Sequence, residues 1–364
     1  MSLSRPVGRI VLALSAIACS SAPALAGQAR LCDQASSILP DLECVESANG
    51  VALASNAARA RRLLELAEGG VERFKANFGR QPLRYAVAEA AEGLVSRESV
   101  AGLRKGGFPV VLPWLSDRTY RAQVEASIRR GVSAQMVGRP QTEIDAAVQT
   151  AVDRQMSPAT RARIELAAVS HELGHYWYWQ GYWPNSTLSE DKHYGGPSPD
   201  WLDEMAAVLM EAPDSIDDRV KQFAQRYNRY RADPTNADEN TKLMIDLNNF
   251  FSETHPAHQQ VQQLNKNAGI RSSNDSFRVI SGEEARKIAE GGVRFYLQSA
   301  VASQYLVERT GDRQIFARIA EAFVRGETIE QWLANAEPKG TLPRELKAMQ
   351  ADWLAWLDQR FPTS

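Results

Sequence analysis

The chain has 364 residues, 44% hydrophobic and 24% charged, a balance that supports one large or two modest packed units and excludes intrinsic disorder. Lysine plus arginine number 42 against 44 acids, for a formal charge of −2. The basic excess that drives binding to a phosphate backbone is absent, so no nucleic-acid partner is expected.

Residues 1–26 read as a secretory signal peptide: Arg5 and Arg9 form a positive start, Ile10 to Ala18 an apolar stretch, and Ala24-Leu25-Ala26 a small-residue cleavage site. That stretch is too short to span a bilayer, which takes roughly 20 residues. The expectation is an exported protein, periplasmic or secreted, with no stable transmembrane segment after cleavage. Export to an oxidising compartment suits a disulfide between Cys32 and Cys44, the two cysteines that remain.

From Ala54 to Phe78, Leu63, Leu64, Ala67, Val71, Phe74 and Phe78 recur at helical spacing, and Gly79 closes the predicted helix. Leu83 to Ala88 and Phe108 to Leu115 are predicted strands of a small sheet, separated by a polar segment containing Gly102, Gly106 and Gly107. Beyond Ala122 nearly everything reads as helix, with stops at Pro140, Pro158, Pro184, Pro213 and Pro234. The polar stretch from Pro213 to Phe277, with loop-like patches at Ala232 to Asn240 and Asn265 to Ser276, is expected to wrap the surface. Helical periodicity returns from Glu283 to Phe361. The fold class is therefore α+β, with a small mixed sheet and its N-terminal helix (27–156) packed on a larger, mainly helical portion (157–364).

The strongest chemical signal is His171-Glu172-Leu173-Gly174-His175. With five histidines in the chain, a chance HExxH has a probability on the order of one per cent. Ser157 can cap the helix that carries it and Pro158 suits the first helical position. Ile164, Ala168, His171, His175 and Tyr178 then share a face, which places two imidazoles one turn apart, able to reach a single ion. Zinc takes nitrogen ligands at about 2.0–2.1 Å, and this pair supplies two corners of a tetrahedron. Glu172, about 100° round the helix, is positioned to act on water as a general base rather than to bind the metal.

A catalytic zinc site needs a third protein ligand. Gly181 stands where the HExxHxxGxxH pattern requires histidine, so that pattern is excluded. The alternative lies in Pro199-Asp200-Trp201-Leu202-Asp203-Glu204-Met205-Ala206-Ala207, a second predicted helix capped by Ser198 or Asp200 and ended by Pro213. Glu204 would face inward with Trp201, Ala207 and Val208, and a carboxylate in such apolar surroundings calls for a cation. Asp203, Glu211, His193 and Asp191 are competing ligands. The aromatic run Tyr176 to Trp179, with Tyr182 and Trp183, is expected to be core packing with a rim.

HExxH followed by a helix reading P-x-W-L-x-E-x-x-A resembles the gluzincin metallopeptidases, which include thermolysin and the aminopeptidase-N type enzymes. The resemblance implies a zincin-like catalytic region, one zinc ion per chain held by His171, His175 and Glu204, and Glu172 as catalytic base. Phe295-Tyr296-Leu297-Gln298-Ser299-Ala300-Val301 resembles the stretch in which a gluzincin tyrosine donates to the oxyanion. Tyr296 then has that catalytic role; a core tyrosine is the competing reading, and Tyr305, His193 and His255 are other possible donors. The resemblance also implies that an edge strand, Phe108 to Leu115, holds extended peptide by backbone pairing. Two departures stand out: Val208 occupies the place of an acid that supports a zinc-bound histidine, and the aminopeptidase G-x-M-E-N signature is missing. The expected function is a zinc-dependent peptidase acting on a peptide or protein substrate. An inactive peptide- or envelope-binding protein and a metal-dependent amidase acting on a cell-wall substrate are the other readings.

Overall fold

The computed structural model describes residues 30–186, 196–256, 282–335 and 341–362, and for 282–289 the helical backbone alone. The proposed signal peptide, Asp191, His193 and the Asn265 to Ser276 patch lie outside the described residues.

Four strands form one sheet in the order β1 (Glu43–Glu46), β2 (Gly50–Ala54), β3 (Tyr85–Ala90), β4 (Val110–Leu115). The β1–β2 pair is a tight antiparallel hairpin, whereas β2–β3 and β3–β4 are parallel, so each of those connections must cross over through a helix. These crossovers are α2 (Ala57–Phe78) and α3 (Arg97–Lys105), while α1 (Leu31–Ser36) precedes the sheet and is fastened to β1 by the Cys32–Cys44 disulfide. Strand alternation sends Ala52, Tyr85, Val87, Val110 and Leu112 to one face, into the main core. Val51, Leu53, Ala86, Ala88 and Val111 go to the other, where they meet α1 and α3.

The remaining chain is helical among the described residues. An arm of two helices, α4 (Asp117–Gln135) and α5 (Gln141–Gln155), leads from β4 to α6 (Pro158–Tyr182). The arm has its own small apolar cluster around Ile144, Val148 and Val152, and α4 buries no residue. Next come α7 (Asp200–Val208), α8 (Pro213–Ala232), α9 (Glu239–Met244) and α10 (Leu247–Ser252). The chain then runs through α11 (Gly282–Thr310), α12 (Ile315–Val324), α13 (Ile329–Asn335) and α14 (Leu346–Arg360). One apolar cluster extends from Ala52 to Phe361, with Trp177, Trp201 and Trp353 among its largest buried side chains. No helix among the described residues is long and apolar enough to cross a membrane.

Several expectations need correction. The α2 helix begins at Ala57, where Asn56 accepts from the Arg59 amide, because Ala54 is still strand. Gly79 does close α2, at a φ of 65° that a side chain would strain. The polar glycine-containing segment is helix α3: Ser96 caps it and only Leu103 on it is buried, so its charged face masks a helical repeat. Pro140 and Pro213 open helices rather than stop them, as Pro158 does, since a residue at the start of a helix needs no N–H partner. Thus α7 ends at Val208 without proline, and its N-cap, Pro199, makes no side-chain cap bond. The stretch after Pro213 is not a surface wrapping either: Phe223, Tyr227, Met244, Leu247 and Phe250 are buried in the main core.

Candidate metal centre

Helix α6 is anchored before it reaches the histidines. Ser157 caps it by accepting from the Thr160 amide, with Pro158 in the first position as expected. Arg161 binds Asp117 and Glu165, and Glu165 is shared with Arg59, which also binds Glu89 of β3. Trp177 and Tyr178 are fully buried, and the Trp177 indole donates to the Leu83 carbonyl, so most of the aromatic run is core.

Gly174 explains how α7 comes close enough. A β-carbon there would lie 2.9 Å from the Ala207 Cα and 2.8 Å from the Met210 Cγ, so only glycine permits this approach of the two helices. Gly174→Ala is expected to cost about 1–3 kcal/mol by overpacking and to weaken metal binding by pushing Glu204 outward. Thermal unfolding and metal titration would show both effects, and a variant indistinguishable in both would refute the account.

On that scaffold His171, His175 and Glu204 converge, one ligand atom from each lying within 4.8 Å of the others. The two Nε2 atoms are 3.2 Å apart, and the Glu204 oxygens lie 3.6 Å from His171 Nε2 and 4.0 Å from His175 Nε2. The ligands of a tetrahedral ion with bonds of about 2.0–2.1 Å stand about 3.3–3.4 Å apart, so the set has nearly the required spacing. Glu204 is completely buried.

Asp203 and Glu211 do not compete for the ion; they grip the far side of each imidazole. His171 Nδ1 lies 2.9 Å from Glu211 Oε1 and His175 Nδ1 lies 2.7 Å from Asp203 Oδ1. A carboxylate only accepts, so each Nδ1 carries the hydrogen and each Nε2 presents a lone pair. Two lone pairs at 3.2 Å repel unless a proton or a metal ion sits between them. This support replaces the acid that Val208 fails to supply. Arg219 of α8 clasps Glu211 through Nε at 2.7 Å and Nη2 at 2.5 Å, and its guanidinium lies 5.0 Å from the Tyr296 ring centre. Sequence reasoning missed Arg219, and a lone arginine on a polar helix carries no signal that would have found it.

Tyr296 does reach the site: its ring centre is 5.7 Å from that of His171 and 5.7 Å from that of the buried His255. Burial, reinforced by Glu204 and Glu172, pushes its hydroxyl well above the ordinary phenol range and keeps it a proton donor. Tyr305 instead donates to Asp352 and does not join the centre. Glu172 is exposed, on the α6 face that lines a cavity of about 1010 Å³ beside β4. The geometry therefore gathers His171, His175, Glu204 and Tyr296 at one point and leaves Glu172 open to the cleft.

Burial disfavours charge on both imidazoles, but Glu204, Glu211 and Glu172 outweigh it at His171 and raise that ring to about 9. His175, buried beside the charged His171, is lowered to about 4. Without metal the pair therefore holds one proton across neutral pH. Metal uptake at pH 7 is expected to expel about one proton per ion, with release fading as pH rises through 9. Titration calorimetry in buffers of different ionisation enthalpy measures this, and binding without proton release at pH 7 would contradict it.

The donor set of two imidazoles and one carboxylate, each oriented by a further hydrogen bond or buried against the others, could hold a metal ion. In comparison with known proteins, the chain matches no protein-family model, no curated protein and no solved structure.

Proposed function

We propose that this protein is an exported zinc-dependent peptidase of the gluzincin type, with His171, His175 and Glu204 as metal ligands. The observation that carries this reading is the convergence of three lone-pair donors, with a glutamate kept out of the ligand set beside a cleft. Zinc bound there would supply Lewis acidity, polarising a scissile carbonyl and bringing the pKa of water to about 7. Glu172 then takes the proton from the attacking water and passes it to the leaving amine. Tyr296, held neutral, donates its hydroxyl to the developing oxyanion, with Arg219 fixing its ring. No side-chain nucleophile is required, so no covalent enzyme intermediate forms.

The substrate strand would lie along β4, an edge strand with no further strand paired to it among the described residues. Val110 donates its amide to Arg84 of the β3 approach, so alternate residues face β3 and Val111, Pro113 and Leu115 face outward. Proline at an outward position costs the sheet no hydrogen bond. The Leu115 amide and the Pro113 and Leu115 carbonyls are then available to an extended peptide. The disulfide between Cys32 and Cys44 is compatible with export.

The test is to purify the protein, measure its zinc content, and incubate the zinc-loaded and chelator-treated forms with a mixture of peptides analysed by mass spectrometry. Zinc-dependent cleavage at internal or terminal peptide bonds is expected. Stoichiometric zinc with no cleavage would favour a binding protein, and cleavage confined to cell-wall amides would favour an amidase.

A further inference from the structure

We infer that the cleft beside β4 selects extended peptides bearing a carboxylate side chain among bulky apolar residues, and that Arg104 reads the carboxylate. The inference rests on the peptide-binding reading of that cleft and names its substrate class.

Helix α3 supplies one wall. Arg97, Val100, Ala101 and Arg104 all line the cavity, and their spacing of i, i+3, i+4 and i+7 places them in one stripe. Two cations thus flank two apolar side chains. Trp114, Leu115 and Tyr176 line the same cavity and offer apolar surface to a neighbouring side chain. Among the described residues, Glu172 is the one acidic side chain on the lining, against three arginines.

Those arginines are not equivalent. Arg161 is committed: it bonds Asp117 and Glu165 and stacks 4.2 Å from the centre of the Tyr120 ring. Arg104 is exposed, and its side chain makes no hydrogen bond or ion pair with another described residue. It lines the same cavity as Glu172 and Tyr176. Tyr176 is one helical turn beyond Glu172, so Arg104 faces a stretch of cleft adjacent to the proposed reacting centre. A cationic, partly apolar wall in a concave site attracts an anion and orients it; a neutral or basic side chain gains nothing from it.

The probes are two short, C-terminally amidated, fluorescein-labelled peptides, one alternating leucine with glutamate and the other leucine with glutamine. Their binding to the zinc-loaded Glu172→Gln protein is followed by fluorescence anisotropy. The glutamate peptide is expected to bind about fivefold tighter at low ionic strength, with the preference shrinking at high salt. Arg104→Gln should abolish the preference and Arg104→Lys should retain it, with zinc content the same in all forms. Equal binding of the two peptides, binding of neither, or a preference that survives Arg104→Gln would overturn the assignment. So would a preference seen only when the C-terminus is a free acid. Hydrolysis of both peptides by the unaltered zinc protein separates the two proposals: cleavage without preference sinks the selectivity alone, and preference without cleavage sinks the peptidase reading alone.

Discussion

Glu172→Gln should leave one zinc bound per chain while peptide hydrolysis falls about 100- to 10,000-fold, the range general-base catalysis supplies. The two effects separate because Glu172 lies outside the ligand set and is exposed to the cleft, whereas the three ligands face inward. Glutamine keeps the length and polarity of the side chain, so it can still hydrogen-bond water but cannot take its proton. Zinc content measured beside kcat/KM on one cleaved peptide decides the matter. Loss of both together would make Glu172 a ligand or a structural element, and loss of neither would remove it from the chemistry.

The second large effect is expected at Glu204. Glu204→Gln should lower zinc affinity by more than the roughly 10- to 100-fold that loss of an outer hydrogen-bond partner causes, since it removes a ligand charge outright. Asp203→Asn supplies that comparison: it leaves the ligand set intact and removes only the acceptor for His175 Nδ1. Competition with a chelator of known affinity ranks the three proteins. An order with Asp203→Asn weaker than Glu204→Gln would exchange their assigned roles. Far-UV circular dichroism on the metal-free forms checks that the ranking reports binding rather than unfolding.

The candidate centre was legible where it depends on local periodicity. Two imidazoles four apart on one helix must share a face, and a glutamate amid Trp201, Ala207 and Val208 must be buried. What stayed ambiguous was the division of labour among acids. Asp203 adjoins Glu204 and Glu211 lies a short turn beyond it, so a ligand and a partner for the opposite ring nitrogen look alike until the helices are placed. Arg219 was hidden for a similar reason, because its partners come from the connection between α7 and α8 and from α11. In the fold, β1 and β2 escaped notice: one is short with charged ends, and the other is five wholly buried, glycine- and alanine-rich residues with no alternation to mark it as strand. Pro140 and Pro213 were read as breaks because local sequence does not say on which side of a proline the helix lies.

Pro113 has a consequence for the protein as a colloid. A bare row of amides and carbonyls on a sheet rim recruits any stretched chain, including another copy of the same molecule, and so seeds fibrils. An imino acid midway along that row deletes one donor, and an unbroken cross-molecule ladder cannot propagate past it. The rim can therefore stay uncovered between visits by a guest strand without copies stacking on one another.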